Sequence, residues 1–231
     1  MARVLLPLPD TDFDVTEVAV PWQLLTEAGH EVVFATETGA VPSADPLLLK
    51  GVLFGQLGAE PEPKRFYAAM LPMIAPIRWD AIDTSCDALL LPGGHAPGMR
   101  QYLGSTLLQD RIRDFWDTGK PVAAICHGVL PLARAGVLDG VRTTCLPKYL
   151  ERAAFFSTAW LRGRYYRTYP AYVEDEVRAA GAVFERGPRV LSRRGTRDDD
   201  SAAFTVRDGR YLSARWPGDA YLFARQLLEM L

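Results

Sequence analysis

Lys120-Pro121-Val122-Ala123-Ala124-Ile125-Cys126-His127-Gly128 is the stretch on which the fold of this chain is decided. From Pro121 to Ile125 it reads as a buried strand, and the residues from Gly128 to Ala135 read as a helix. A strand that runs almost directly into a helix, with cysteine at the corner and glycine two residues later, has the layout of a nucleophile elbow. The corner side chain projects from the carboxyl end of the sheet, and the helix start offers backbone N–H groups that favour a thiolate. The plain alternative is a free cysteine packed as a small hydrophobe. Ala124 stands where the serine-hydrolase version of the motif has glycine, so the generic pattern is only partly met.

Working outward from this elbow, strand and helix periods alternate. Arg3 to Leu8 reads as a strand, Thr16 to Ala28 as a helix closed by Gly29, and Glu31 to Ala35 as a second strand. Asp87 to Leu91 is a strand cut off by Pro92-Gly93-Gly94, and Leu107 to Asp117 is amphipathic. Continuous apolar strands joined by helices predict an α/β fold: a doubly wound, mostly parallel sheet with helices on both faces. The units are too few for an eight-stranded barrel. At 231 residues the chain suits one domain spanning 1–231.

Three segments break the alternation. Residues 39–82 carry Pro42, Pro46, Pro61, Pro63, Pro72 and Pro76 and read as a lid-like insertion over one end of the sheet. Residues 147–181 are helical and rich in tyrosine and phenylalanine, which reads as core packing plus a subunit contact rather than ligand stacking; a homodimer is expected. Asp208-Gly209 between apolar flanks predicts a hairpin, and Ala220 to Leu231 a closing helix.

Composition narrows the partners. The 26 Lys and Arg nearly balance the 28 Asp and Glu, giving a formal charge of −2, which argues against nucleic-acid binding. No apolar run is long enough to cross a membrane, and the amino-terminal stretch is broken by Pro7 and Pro9 too early for a secretory signal, so a cytoplasmic location is expected. Cys86, Cys126 and Cys145 are scattered and form no CxxC pair, so neither a disulfide framework nor a metal site is expected.

Two further features sit near the elbow. The paired glycines of Pro92-Gly93-Gly94-His95 permit close backbone approach to a ligand beyond the carboxyl ends of the strands. The N–H groups of Gly94 and His127 are then placed to converge as an oxyanion hole. His95 and His127 both fall near Cys126, although adjacency in sequence does not establish a Cys–His hydrogen bond. Glu17, on the first helix, is either a solvated surface charge or a desolvated carboxyl group beside the strand ends; the pattern leaves both open.

Asp12-Phe13-Asp14-Val15-Thr16-Glu17-Val18-Ala19-Val20-Pro21-Trp22, Leu90-Leu91-Pro92-Gly93-Gly94-His95 and Ala124-Ile125-Cys126-His127-Gly128 together resemble, in order and spacing, the ThiJ/PfpI superfamily. Its flavodoxin-like fold is of the class I glutamine amidotransferase-like type. The Cys-His pair and the insertion are most similar to the glyoxalase III, protein deglycase and chaperone-like branch. The resemblance implies Cys126 as nucleophile, Glu17 as the acid beside it, Gly94 and His127 as backbone donors, and the His127 imidazole as a base. It implies no metal and no organic cofactor. One departure stands out: Lys148 occupies the neighbourhood where some members of that branch carry an acid that orients the histidine, with Glu151 a helical turn on and Asp198-Asp199-Asp200 as a remote substitute. The activity implied is that of a glyoxalase III-like lyase or deglycase on small reactive carbonyls. The alternatives are a PfpI-like cysteine peptidase or amidase, and a non-enzymatic redox-sensing or chaperone-like stress protein.

Overall fold

The uninterrupted apolar runs become the middle of the sheet. In the computed structural model, which describes residues 1–190 and 192–231, β6 (Ala88–Leu91) and β7 (Val122–Ile125) are buried at every residue. They pair in parallel with each other. β6 also pairs with β1 (Arg3–Pro7), and β7 with β11 (Tyr211–Ala214), both in parallel. On the other side of β1 lie β3 (Glu31–Thr36) and then β5 (Ile77–Arg78), again parallel. β10 (Thr205–Asp208) closes the opposite edge as the antiparallel partner of β11, through the expected turn at Asp208-Gly209. The seven strands run β10-β11-β7-β6-β1-β3-β5, so the sheet is mostly parallel as expected.

The helices follow from chain direction. From β1 the chain moves one way to β3 through α1 (Val15–Glu27). From β6 it moves the opposite way to β7 through α4 (Met99–Gly104) and α5 (Thr106–Asp117). Right-handed crossovers in opposite directions place helices on opposite faces. Accordingly α1 packs with α3 (Pro61–Met70) and α9 (Ala220–Leu228), while α5 packs with α6 (Leu130–Arg134). The reversal between β1 and β6 is a topological switch point, where such sheets open a crevice beyond their strand ends. No helix among the described residues is long and apolar enough to cross a membrane.

The segment 39–82 departs from a simple lid. Its β5 extends the main sheet and α3 lies against α1, so much of it is fold rather than cover. Only β4 (Ser43–Ala44), paired with β2 (Thr11–Phe13), and α2 (Pro46–Lys50) with the turns after it reach over the strand ends. These are fastened to α7 (Lys148–Arg162) and the turn beyond it. Arg162 Nε donates to the Val52 carbonyl at 2.7 Å, and the Tyr165 hydroxyl donates to Asp45. The remaining elements are a small parallel pair, β8 (Arg142–Thr143) with β9 (Val183–Phe184), and α8 (Val173–Ala179).

Candidate active site

Residue 126 is held in a conformation few side chains adopt. Cys126 has φ +59° and no exposed surface, and it stands between the end of β7 and a turn over Cys126–Val129. The turn is tight because of glycine: a Cβ on Gly128 would lie 2.1 Å from the Leu91 carbonyl oxygen. The expected helix from Gly128 to Ala135 is thus a 3-10 turn followed by the short α6, because the chain must first clear β6.

Asp14 and Glu17 stitch the start of α1 to the end of β6. Asp14 caps the helix, accepting from Thr16 N at 2.8 Å and Glu17 N at 3.1 Å. Its own N–H donates to the Gly93 carbonyl at 2.9 Å, and the Gly93 N–H returns to Glu17 Oε2 at 2.8 Å. A Cβ on Gly93 would fall 2.7 Å from His127 N and 3.0 Å from that carboxylate oxygen. Glu17 is therefore fully buried, not a solvated charge, and its carboxyl group meets the Cys126 thiol. Oε1 has no hydrogen-bond partner among the described residues.

Burial sets the protonation of this cluster. It pushes the Glu17 carboxyl well above the usual range, with the Asp14 charge adding to the effect, and pushes Asp14 itself up to about 6. The Cys126 thiol is likewise driven well above 9, by burial first and by Glu17 and Asp14 next, with the His127 N–H acting the other way. The lowered thiol pKa expected from a helix start does not arise, because desolvation outweighs one backbone N–H and α6 is too short to add more. Burial thus favours the uncharged forms of both the Cys126 thiol and the Glu17 carboxyl. Cys86 and Cys145 are buried free cysteines, as expected. Native-state alkylation of Cys126 by iodoacetamide at pH 7 is expected to run at least tenfold slower than that of free cysteine and to recover on unfolding. Mass spectrometry of tryptic peptides reads both rates.

His127 and His95 complete the surroundings. His127 is 1% exposed, with Nδ1 at 3.5 Å from Cys126 Sγ. Its ring packs against His95 and Tyr169 at centroid distances of 5.0 and 5.1 Å. Burial, together with His95 and Arg134, pushes its pKa well below 6.5, so the imidazole is neutral but a weak base. No carboxylate is bonded to it among the described residues. Glu151 is engaged by Arg167 Nη1 at 3.1 Å and Val173 N at 3.3 Å, Lys148 by Asp175, and Asp199 and Asp200 are paired with Arg193 and Arg225. His95, pushed down to about 4 by burial, has an Nδ1 without a partner and packs on Tyr166 at 4.7 Å.

The aromatic segment therefore divides. Tyr165, Tyr166 and Tyr169 wall the two histidines, a role not foreseen for them, while Phe156 and Trp160 stay exposed. Asp14 was also missed, although Asp14-Val15-Thr16-Glu17 carries the cap-and-acid spacing of a helix start. The fold further brings ligand atoms of His95, Cys126 and His127 within 4.8 Å of one another, which sequence spacing did not announce. A soft cation held there must first displace the thiol proton that burial retains.

Comparisons with known proteins identify the family and the fold. A family described as "ThiJ/PfpI family-like" matches residues 8–188. An uncharacterised protein of Schizosaccharomyces pombe is 30% identical over 99% of this chain and 84% of its own length. "Deglycase PfpI" of Pyrococcus furiosus is 27% identical over 98% of both chains. Among solved structures, glyoxalase III from Candida albicans superposes with a TM-score of 0.70 at 21% identity, covering 100% of this chain and 97% of that one. A match over most of the chain, with an elbow cysteine, a buried glutamate and a glycine turn at one crevice, makes this protein a member of the ThiJ/PfpI family.

Proposed function

We propose that the protein is a cysteine-dependent enzyme acting on small reactive carbonyl compounds, a glutathione-independent glyoxalase or deglycase. The observation that carries this reading is the Cys126 thiol held at φ +59° against the buried Glu17 carboxyl. The names of the deglycase and glyoxalase III relatives support the same class.

The chemistry follows from the neutral pair. As Sγ bonds to the aldehyde carbon of a 2-oxoaldehyde, the carbonyl π bond opens and the thiol proton passes to the oxygen. Glu17 Oε1 serves as the relay, and the N–H groups of Gly94 and His127 steady the developing charge. Glu17 then moves the proton from the aldehyde carbon to the neighbouring ketone carbon while the hydroxyl proton passes from the first oxygen to the second, leaving a 2-hydroxy thioester. Water cleaves it to a 2-hydroxy acid and returns the thiol. The sum is addition of one water to the oxoaldehyde, with oxidation at one carbon balanced by reduction at the next and no external electron acceptor.

A peptidase fits less well, since a fully covered thiol offers no groove for an extended chain. A redox sensor fits less well too, since oxidation favours exposed thiolates. The deciding experiment incubates purified protein and its Cys126→Ala variant with methylglyoxal, a glycated amine and a peptide. Cys126-dependent release of hydroxy acid from either of the first two upholds the proposal. Cleavage of the peptide alone would replace it.

A further inference from the structure

One cavity stops a single side chain short of the thiol. It has a volume of about 270 Å³ and lies between α7, the turns after α2 and the start of α1. Its walls are mostly apolar: Leu48, Leu57, Leu146, Leu150, Ala154 and Trp216. Pockets that hold drug-sized ligands begin near ~300 Å³, so this one suits a single aromatic ring or a branched alkyl group. A three-carbon oxoaldehyde would leave most of its apolar wall unfilled, and burying such wall is where binding energy is available.

His95 lies at the inner end of the cavity. Its ring lines the cavity, packs against the His127 ring, and has a nitrogen within 4.8 Å of Cys126 Sγ. The imidazole is 8% exposed, and no hydrogen bond secures its Nδ1 among the described residues. The ring is held by packing against neighbouring rings. The contacts are with His127, Tyr165 and Tyr166, at centroid distances of 5.0, 6.2 and 4.7 Å.

We propose that this cavity is the side-group pocket of the carbonyl substrate, that it favours 2-oxoaldehydes bearing an aryl or branched alkyl group over three-carbon ones, and that His95 is the movable wall between pocket and thiol. The inference rests on the carbonyl chemistry proposed above and adds the class of substrate. Ala154, half-buried on α7, is the position at which pocket size is set.

The test compares phenylglyoxal with methylglyoxal. Ala154→Trp is expected to lower the ratio of their kcat/KM values at least tenfold relative to the parent protein, and Ala154→Leu to lower it less; circular dichroism confirms folding. An unchanged ratio in both variants overturns the pocket. Binding separates this inference from the activity it rests on. Cys126→Ala is titrated by calorimetry with benzoylformate and pyruvate, two 2-oxo acids that cannot complete the reaction. Benzoylformate is expected to bind at least tenfold tighter, with that preference lost in Cys126→Ala/Ala154→Trp. Equal affinities overturn the inference, and the preference upholds the pocket even if neither aldehyde is turned over. For the movable wall, His95→Ala is expected to speed alkylation of Cys126 by a bulky maleimide at least tenfold; no change would show the wall to lie elsewhere.

Discussion

Cys126→Ala is expected to reduce 2-oxoaldehyde turnover to the uncatalysed rate, Glu17→Gln to lower kcat by roughly 10²–10⁴-fold, and His127→Ala to leave clearly measurable activity. The order follows from what each group alone can do. In the proposed reaction Cys126 forms the covalent bond, and the other thiols, Cys86 and Cys145, are buried elsewhere. Glu17 is the acid that meets the sulfur, and glutamine at that position keeps a hydrogen-bonding amide but cannot pass a proton. His127 contributes a backbone N–H that survives substitution. Its imidazole is held far below 6.5 by burial and is steadied by ring packing instead of a carboxylate. Initial rates of the three folded variants check the order. If His127→Ala is as inactive as Cys126→Ala, the imidazole and not Glu17 is the principal proton acceptor.

The largest effect on stability is expected away from the thiol. Arg215 has no exposed surface, yet it forms an ion pair with Asp219. Its Nη2 lies 2.8 Å from Asp219 Oδ1 and its Nε 2.9 Å from Oδ2, and the remaining donors reach the carbonyls of Pro188 at 2.7 Å and Ala202 at 3.1 Å. Asp219 in turn accepts from Phe204 N at 3.0 Å. The pair thus pins Pro188, Ala202 and Phe204 to the end of β11. Arg215→Met strands the Asp219 carboxylate in the interior, and losses of this kind run to about 3–5 kcal/mol. Urea denaturation should show a fall in unfolding free energy of that size. Arg215→Met/Asp219→Leu should recover part of it, since no charge is then left unpaired. A loss below 1 kcal/mol would mean that water reaches the site.

The parts of this molecule legible in the sequence are those governed by short-range pattern. β6 and β7 are buried on both faces, so they carry no polar residue and read at once as central strands. Gly93 and Gly128 mark places where a Cβ would strike a neighbouring backbone, and they punctuate the sequence where the elbow and the facing turn lie. What pattern could not show was distance and solvent. β5 is two residues long and owes its place to register with Ala35 and Thr36, so 39–82 read only as a lid. The thiol pKa depends on burial and on Glu17 and Asp14, which lie more than a hundred residues earlier in the chain. Arg215 and Asp219 are four apart, but their pairing spans the exit of β11 and no helical spacing announces it.

The left-handed backbone at Cys126 gives the site a thermodynamic bias towards its own loss. An L-residue in that region forgoes about 1–2 kcal/mol that glycine would not. Cys126→Gly is therefore expected to melt above Cys126→Ala, by the few degrees that 1 kcal/mol represents in a chain this long, and calorimetric scans of the two inert variants would show it. Selection for thermal robustness alone would then drift towards glycine at this turn, abandoning the thiol. Engineering that ranks substitutions by melting temperature would disarm the protein at residue 126 while appearing to improve it.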